Sequence, residues 1–409
     1  MSGLSDSLIQ DDPYPYYRER RGVGPVWRED ELDLYVIGGH SEAKAALLDA
    51  TTFSNRPSGT RGLGDEGAAA YHRVLAERGW ARAPTLQRTD PPTHTRYRKL
   101  INRVFTPARA RDLTPRIEEI VQDLVDRFID KGTCEFVAEF ALPMPGTLIA
   151  EQLGLDRSQY RTFRRWADAM LSLANRRMTV EEAIAEAEVE LDAQHFLAAE
   201  FERRRTEPSD DLISLLVHAH GDDEEPLTVD ELQDLMHQMI TGGFETTTGA
   251  LAKGMWLLIA HPDQMALLRA DPDLMKNFIE EALRFESPVQ GLWRHASRTT
   301  TVGGVAIPSD ASVMVRYGAA NRDPRAFEDP DRFDITRPEA RNHLAFGFGP
   351  HYCVGAALAR QEMLTSFTIL LERLDEIELA QPLPTPVHLP SFFLRPMERL
   401  PLRFTARAS

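Results

Sequence analysis

Cysteine is nearly absent from this chain of 409 residues: Cys134 and Cys353 are its only two, 219 positions apart. That excludes a disulfide framework, and it excludes an iron–sulfur cluster held by the chain alone, which needs about four thiolate or imidazole ligands. Each thiol serves singly or not at all. Long apolar runs are also missing, since "MWLLIA" (255–260) falls far short of the roughly 18 residues a spanning helix needs. The N-terminal "MSGLSDSLIQDDPYPYYRERR" has neither the basic start nor the apolar stretch of a signal peptide, so a soluble, cytoplasmic protein without a membrane anchor is expected. Basic residues are outnumbered: 47 Lys and Arg against 63 Asp and Glu leave a net charge of −16, which repels nucleic acid and anionic membrane. The Gly-rich "PSGTRGLGDEG" (57–67) lacks the GK[ST] of a phosphate loop. It is expected to open a long, mobile loop running to about residue 88.

What is present fits a globular chain, with 42% apolar and 27% charged residues. No repeat, low-complexity tract or linker divides it, so one continuous domain over 1–409 is expected, mainly α with a smaller β-sheet region. Helical patterns dominate from about 93 to 286. In "PRIEEIVQDLVDRFID", Ile117, Ile120, Val121, Leu124, Val125 and Phe128 fall at the three-and-four spacing of a buried stripe. Strand signals cluster in "VWREDELDLYVIGG" (26–39) and in "RTTTVGGVAIPSDASVMVRYGAA" (298–320), where Gly303 and Gly304 punctuate β-branched segments. A long helix is predicted from Thr228, with Glu231 completing a capping box, to about Ala260, where His261 and Pro262 stop it. Its middle reads "TGGFETTTG". Two interior glycines cost about 1 kcal/mol each relative to alanine, and Thr246 can turn its hydroxyl onto the carbonyl of Gly242, so a loosened turn is expected there.

Cys353 sits in "FGFGPHYCVG" (346–355), directly before the apolar-striped helical pattern "AALARQEMLTSFTILLERL". An isolated cysteine is ordinarily a small buried hydrophobe. Here Gly347 and Gly349 allow backbone conformations closed to other residues. Such a loop can aim amide hydrogens at the sulfur while the helix N-terminus adds partial positive charge, and both favour thiolate over thiol. A thiolate held in this way is a good iron ligand.

The pattern FxxGxxxCxG, as Phe346, Gly349, Cys353 and Gly355, resembles the haem-ligand loop of the cytochrome P450 family, and four further segments match in order over roughly residues 90 to 374. The resemblance implies the cytochrome P450 fold, with haem b (iron protoporphyrin IX) bound through Cys353. In "EALR", Glu281 and Arg284 read alone as a surface ion pair worth well under 1 kcal/mol; the resemblance buries them with Arg332 of "FEDPDRFD" to brace the cysteine loop. In "DPPTHTRYRKL", His94 and Arg98 read alone as a solvated basic face, and the resemblance makes them holders of haem propionates, joined by Arg294 and His351. "GGFETT" looks like the family's oxygen-binding groove, with Glu245 and Thr246 as its acid and alcohol; the family usually has alanine where this chain has Gly242, which widens the groove. The acid-free run from 96 to 111, with Arg96, Arg98, Lys99, Arg103, Arg109 and Arg111, is either a solvated face or the docking site of an acidic electron donor.

The implied activity is a monooxygenase reaction: one oxygen atom of O2 enters a mainly hydrophobic small molecule, by hydroxylation or a related oxidation such as O-demethylation. Electrons would come from NAD(P)H through a 2Fe-2S ferredoxin and its reductase. The pocket is expected from segments 80–86, 169–173, 239–244, 289–292 and 391–394, which are mostly apolar, with Trp293 packing in the core. Two rivals stay open. A peroxide-driven peroxygenase of the same fold would normally replace the acid and alcohol pair, and a non-catalytic haem sensor or recruitment protein could lose the cysteine or the proton relay; this chain keeps all three residues.

Overall fold

The computed structural model describes residues 3–56, 66–175, 178–220, 225–381, 387–389 and 391–407. Its contacts divide the chain into two compact units, each built from separate segments: Met1–Ser54, Ala110–Pro145 and Glu245–Ser409 form the first, Asn55–Arg109 and Gly146–Phe244 the second.

Among the described residues, all ten strands belong to the first unit: β1 (Val26–Glu29), β2 (Leu34–Ile37), β3 (Phe53–Ser54), β4 (Thr133–Glu135), β5 (Leu292–Ala296), β6 (Thr300–Val302), β7 (Val305–Ile307), β8 (Ser312–Val315), β9 (Leu374–Leu379) and β10 (Pro401–Ala406). The largest sheet has the order β1-β2-β8-β5-β3; β4-β10-β9 and β6-β7 form two smaller ones. The predicted hairpin is there, with Val26 opposite Ile37 and Glu29 opposite Leu34. So is the second, where Gly303 and Gly304 turn β6 into β7 at φ of +55° and +83°, a backbone region that penalises a β-carbon. Side-chain alternation sends Leu34, Val36 and Met314 into one apolar cluster with Tyr17 and Trp27, and Ile37, Val313 and Val315 into another with Phe53 and Tyr317. Strands β2 and β8, the pair joined in parallel, are therefore buried on both faces. Trp293 packs against the first of these clusters and stacks on Phe392 at 5.7 Å between ring centres.

The stripe read from 117 to 128 is a buried helical face: the helix Thr114–Asp126 buries Ile117, Ile120, Val121, Leu124 and Val125, and Phe128 follows fully buried. The helix Ala356–Arg373 follows the cysteine loop. It lies close to the end of the long helix, since a β-carbon on Gly254 would stand only 2.5 Å from the Phe367 ring. Glu362 is buried on this helix, and its Oε2 has no hydrogen-bond partner among the described residues. Burial alone pushes its carboxyl from the ordinary 4.5 up to about 8. The native state thus keeps a proton that the unfolded chain releases, so stability falls as pH climbs between those two values. Between pH 6 and pH 9 the wild-type protein should lose about 3 kcal/mol more unfolding free energy than Glu362→Gln, read from urea titrations. Equal losses in both proteins would assign the proton elsewhere.

The second unit is helical: Glu66–Arg78, Thr93–Val104, Tyr160–Asn175, Val180–Thr206 and Leu212–Val217, together with the first half of the helix Val229–Ala260. Residues 57–65 lie outside the described part, but the expected loop to residue 88 is corrected beyond it. Glu66–Arg78 is a helix whose Ala68, Tyr71 and Leu75 are buried at three-and-four spacing. The long helix matches its predicted limits, and the capping box is formed: Glu231 N donates to Thr228 Oγ1 at 3.3 Å and Thr228 N to Glu231 Oε2 at 2.9 Å. The loosened turn is not found, because the helix runs unbroken through Gly242 and Gly243. Neighbouring side chains outweigh the glycine cost. Ile240 and Phe244 are buried on either side, and Gly243 lies so close to Ile149 that a β-carbon there would come within 3.0 Å of it. Thr241 turns its hydroxyl back one turn, onto the carbonyl of His237 at 2.7 Å.

Candidate functional site

The cysteine loop is shaped by its glycines. Gly347 and Gly349 both sit at φ of +71°, and a β-carbon on Gly349 would stand 2.7 Å from the carbonyl oxygen of Leu47. Alanine at Gly349 therefore fails twice, on backbone conformation and on space. The loop closes through Cys353 N donating to Phe346 O at 2.9 Å and Tyr352 N donating to Gly349 O at 3.0 Å. Gly355, the residue before the helix Ala356–Arg373, is so near that a β-carbon there would lie 4.0 Å from the Cys353 sulfur. Cys353 is exposed. Cys134 is the opposite case, buried in β4 with its thiol pushed up to about 12 by burial and then by Glu139 and Glu135. It is a structural cysteine with no thiolate to offer.

Two neighbouring acids on the helix Met275–Phe285 brace this region in different directions. Glu280 receives Arg360 Nε at 2.6 Å and Nη2 at 2.9 Å, and lies 3.1 Å from the His343 ring. Burial pushes the Glu280 carboxyl up, but Arg360 and His343 outweigh it and hold it at about 2. The Arg360 guanidinium in turn covers the Phe346 ring at 4.4 Å, so this acid supports the start of the cysteine loop. Glu281 and Arg284 are fully buried and paired through two hydrogen bonds of 2.7 and 2.8 Å. The third member is corrected: it is Arg337, whose Nε donates to Glu281 Oε1 at 3.2 Å with its side chain 6% exposed. The Arg332 side chain is 67% exposed and faces Asp334; what it contributes is its backbone carbonyl, which accepts from Arg284 and Arg337. A loop reversal between the two arginines turns Arg332 outward and Arg337 inward.

Arg294 and His351, expected at a haem edge, belong to the first unit with Cys353, Phe346, Gly355, Glu245 and Thr246. Arg294 is 4% exposed in β5, donates to the Trp293 carbonyl at 2.7 Å, and has no carboxylate within ion-pair reach among the described residues. A buried guanidinium without an acid is unstable unless an anion is supplied from elsewhere. Tyr317, a residue the sequence reading passed over, lies beside it: burial raises its pKa and Arg294 pulls it back. Glu245 and Thr246 occupy consecutive half-buried positions on the long helix. Gly242, one turn earlier, is exposed in mid-helix, and a β-carbon there would meet nothing within 4 Å.

His94 and Arg98 lie in the second unit, one turn apart on the helix Thr93–Val104. His94 is buried, and burial and then the Arg98 charge lower its pKa. The basic run is divided in its partners. Arg96 pairs with Glu231 at 2.7 Å, Arg109 pairs with Asp210 at 2.6 Å, and Arg103 donates to the Ala219 carbonyl at 2.8 Å; Lys99 and Arg103 are exposed on the surface. The 80–88 segment is more polar in its surroundings than its sequence suggests. Arg82 pairs at 2.5 Å with the fully buried Glu190, which also accepts from Tyr71 and faces His237; Trp80 N donates to Gln194 Oε1 at 2.9 Å, and the Trp80 carbonyl accepts from Gln194 Nε2 at 3.0 Å. Burial, with Arg82 adding to it, holds His237 down at about 4 and hence neutral.

The donor set tests which metal would suit Cys353. A bare ion wants about four protein ligands, and among the described residues no group of three or more His, Cys, Asp or Glu side chains could hold one. One thiolate suits an ion that brings its own equatorial ligands. The buried Arg294 asks for a carboxylate that the described residues do not provide, and together these features fit haem. The family model described as Cytochrome P450 matches residues 76–400. The chain belongs to the cytochrome P450 family. This P450 is 38% identical over 402 residues to 6-deoxyerythronolide B hydroxylase of Saccharopolyspora erythraea, covering 98% of each chain. It is 35% identical to cytochrome P450 monooxygenase PikC of Streptomyces venezuelae, covering 96% of this chain and 91% of the relative. Among solved structures, cytochrome P450 CYP109Q5 from Chondromyces apiculatus superposes with a TM-score of 0.86 at 33% identity, over 99% of this chain and 98% of the other. The P450 is accordingly a monooxygenase of this class, and the family implies a haem cofactor. No helix among its described residues is long and apolar enough to cross a membrane.

Proposed function

We propose that this P450 is a cytoplasmic enzyme that holds haem b through Cys353 and inserts one oxygen atom of O2 into a mainly hydrophobic small molecule. Hydroxylation or a related oxidation such as O-demethylation is the outcome, with electrons from NAD(P)H delivered by a 2Fe-2S ferredoxin and its reductase. The observation that carries the reading is an exposed cysteine on a glycine-shaped loop, in the same unit as a buried arginine that lacks an acid among the described residues. When bound, thiolate-ligated haem supplies electron donation that favours O–O cleavage. The chain supplies the rest. Arg294, His351, His94 and Arg98 hold the propionates through charge-assisted hydrogen bonds. Thr246 hydrogen-bonds oxygen or a water beside Gly242, and Glu245 carries protons inward from solvent. Relatives and structural neighbours that include a 6-deoxyerythronolide B hydroxylase and a P450 in complex with corticosterone support an apolar substrate. Lys99 and Arg103, exposed on a chain of charge −16, support an acidic donor.

The test is reconstitution of the haem-loaded protein with ferredoxin, reductase and NAD(P)H, following product and hydrogen peroxide together. Wild-type protein should couple electron consumption to product. Thr246→Ala should still consume NAD(P)H but release mostly peroxide, with product falling about tenfold or more. Unchanged coupling would remove Thr246 from proton delivery, and turnover equal with peroxide alone would favour the peroxygenase reading.

A further inference from the structure

Tyr317 is 2% exposed and stands just past the end of β8, the strand that carries Val313 and Val315 into the core. Its phenol has two neighbours of consequence. One is the Arg294 guanidinium, which lies close enough to act on it both as a charge and as a donor. The other is the cysteine loop: a β-carbon on Gly347 would come within 3.6 Å of the Tyr317 oxygen, and Cys353 is among the groups whose charge reaches the phenol. Arg294 has only donors to give, so toward Arg294 the phenol can only accept. Its own proton goes to no carbonyl or carboxylate among the described residues. Two nearly buried polar side chains thus stand side by side, a cation without an acid and a hydroxyl without an acceptor. One carboxylate placed against both would satisfy them together, taking a charge-assisted bond from the guanidinium and a hydrogen bond from the phenol.

Resting on the haem-binding reading above, we propose that Tyr317 is a second donor to the haem propionate held by Arg294, and the positioning residue that couples this haem edge to the cysteine loop. The same contact has an electrical consequence. A hydrogen bond to a propionate spreads its negative charge, and reduction of the iron adds negative charge nearby, so the phenol favours the reduced state. Its removal makes the iron harder to reduce. Because the Tyr317 oxygen stands beside Gly347, the same phenol ties the propionate site to that stretch of the loop.

Three variants test this: Tyr317→Phe, Arg294→Gln and the double substitution, each loaded with haem. The readouts are the rate of haem transfer to excess apomyoglobin and the midpoint potential. Tyr317→Phe removes one oxygen atom and should keep the far-ultraviolet circular dichroism of the wild type. It should lose haem about three- to tenfold faster, as befits one buried hydrogen bond, and its potential should become more negative. A shared carboxylate makes the two substitutions non-additive, so the double variant should lose haem more slowly than the product of the two single effects. Wild-type haem loss and potential in Tyr317→Phe, or fully multiplicative rates in the double variant, would overturn the proposal. A wild-type protein that fails to bind haem with a thiolate signature would instead overturn the haem-binding reading itself, which separates the two failures.

Discussion

Cys353→Ser should abolish the strongly red-shifted Soret band of the reduced carbon monoxide adduct and lower product formation by about a thousandfold or more, as for removal of one member of a unit that acts together. A serine oxygen is a poor donor to iron compared with a thiolate, and its proton is not given up near neutral pH. The loop itself should survive, because it is fixed by Gly347, Gly349 and the bond from the backbone amide of residue 353 to Phe346 O, none of which needs sulfur. Haem content and thermal midpoint therefore serve as controls. A variant that folds, takes up haem and keeps both band and turnover would end the thiolate assignment. Cys134→Ser makes the companion measurement. That thiol lies in a three-stranded sheet opposite Leu402, so its replacement should leave the band in place and act only on stability.

The second large effect concerns the fully buried acid Glu281. Glu281→Ala would leave Arg284 and Arg337 charged and buried with no carboxylate, a loss of about 3–5 kcal/mol. Segment 328–334 should loosen with it, since both guanidiniums donate to its carbonyls: Arg284 to Pro330 and Arg332, Arg337 to Glu328, Asp329 and Arg332. Thermal unfolding and limited proteolysis measure the two consequences. Arg337→Ala should approach the damage of Glu281→Ala, whereas Arg332→Ala should cost under about 0.5 kcal/mol, because only its main chain takes part. If the Arg332 and Arg337 variants unfold alike, the side-chain assignment is wrong.

That pair of arginines marks where the sequence stops being legible. Glu281 and Arg284 share a helix, and a fixed pitch tells which residues meet. Arg332 and Arg337 lie in irregular chain, where no period predicts direction and only the traced backbone shows which guanidinium turns inward. The same reason hid Tyr317, which follows a strand whose alternation ends before it. Regular elements were legible: the stripe from Ile117 to Phe128, the Thr228–Glu231 capping box and the Gly303–Gly304 turn all have local causes and all formed. The Glu66–Arg78 helix was legible too but masked by its glycine-rich approach, since Ala68, Tyr71 and Leu75 carry the period. At Gly242 and Gly243 local cost was judged correctly but tertiary packing exceeded it. The cysteine loop was readable because its demands are stereochemical, and stereochemistry is written in glycine positions.

The parallel pairing of β2 with β8 joins Ile37 to Val315, so one border of β2 waits for 278 further residues before its partner exists. At a ribosomal pace of roughly 5–20 residues per second that is about 14–56 s. Throughout this interval the nascent strand presents unpaired amides and a greasy flank to its surroundings, an invitation to the wrong neighbour. The largest sheet can thus close only after β8 has been made, late in synthesis rather than early, and the hairpin of β1 and β2 must stay unpaired on that border until then.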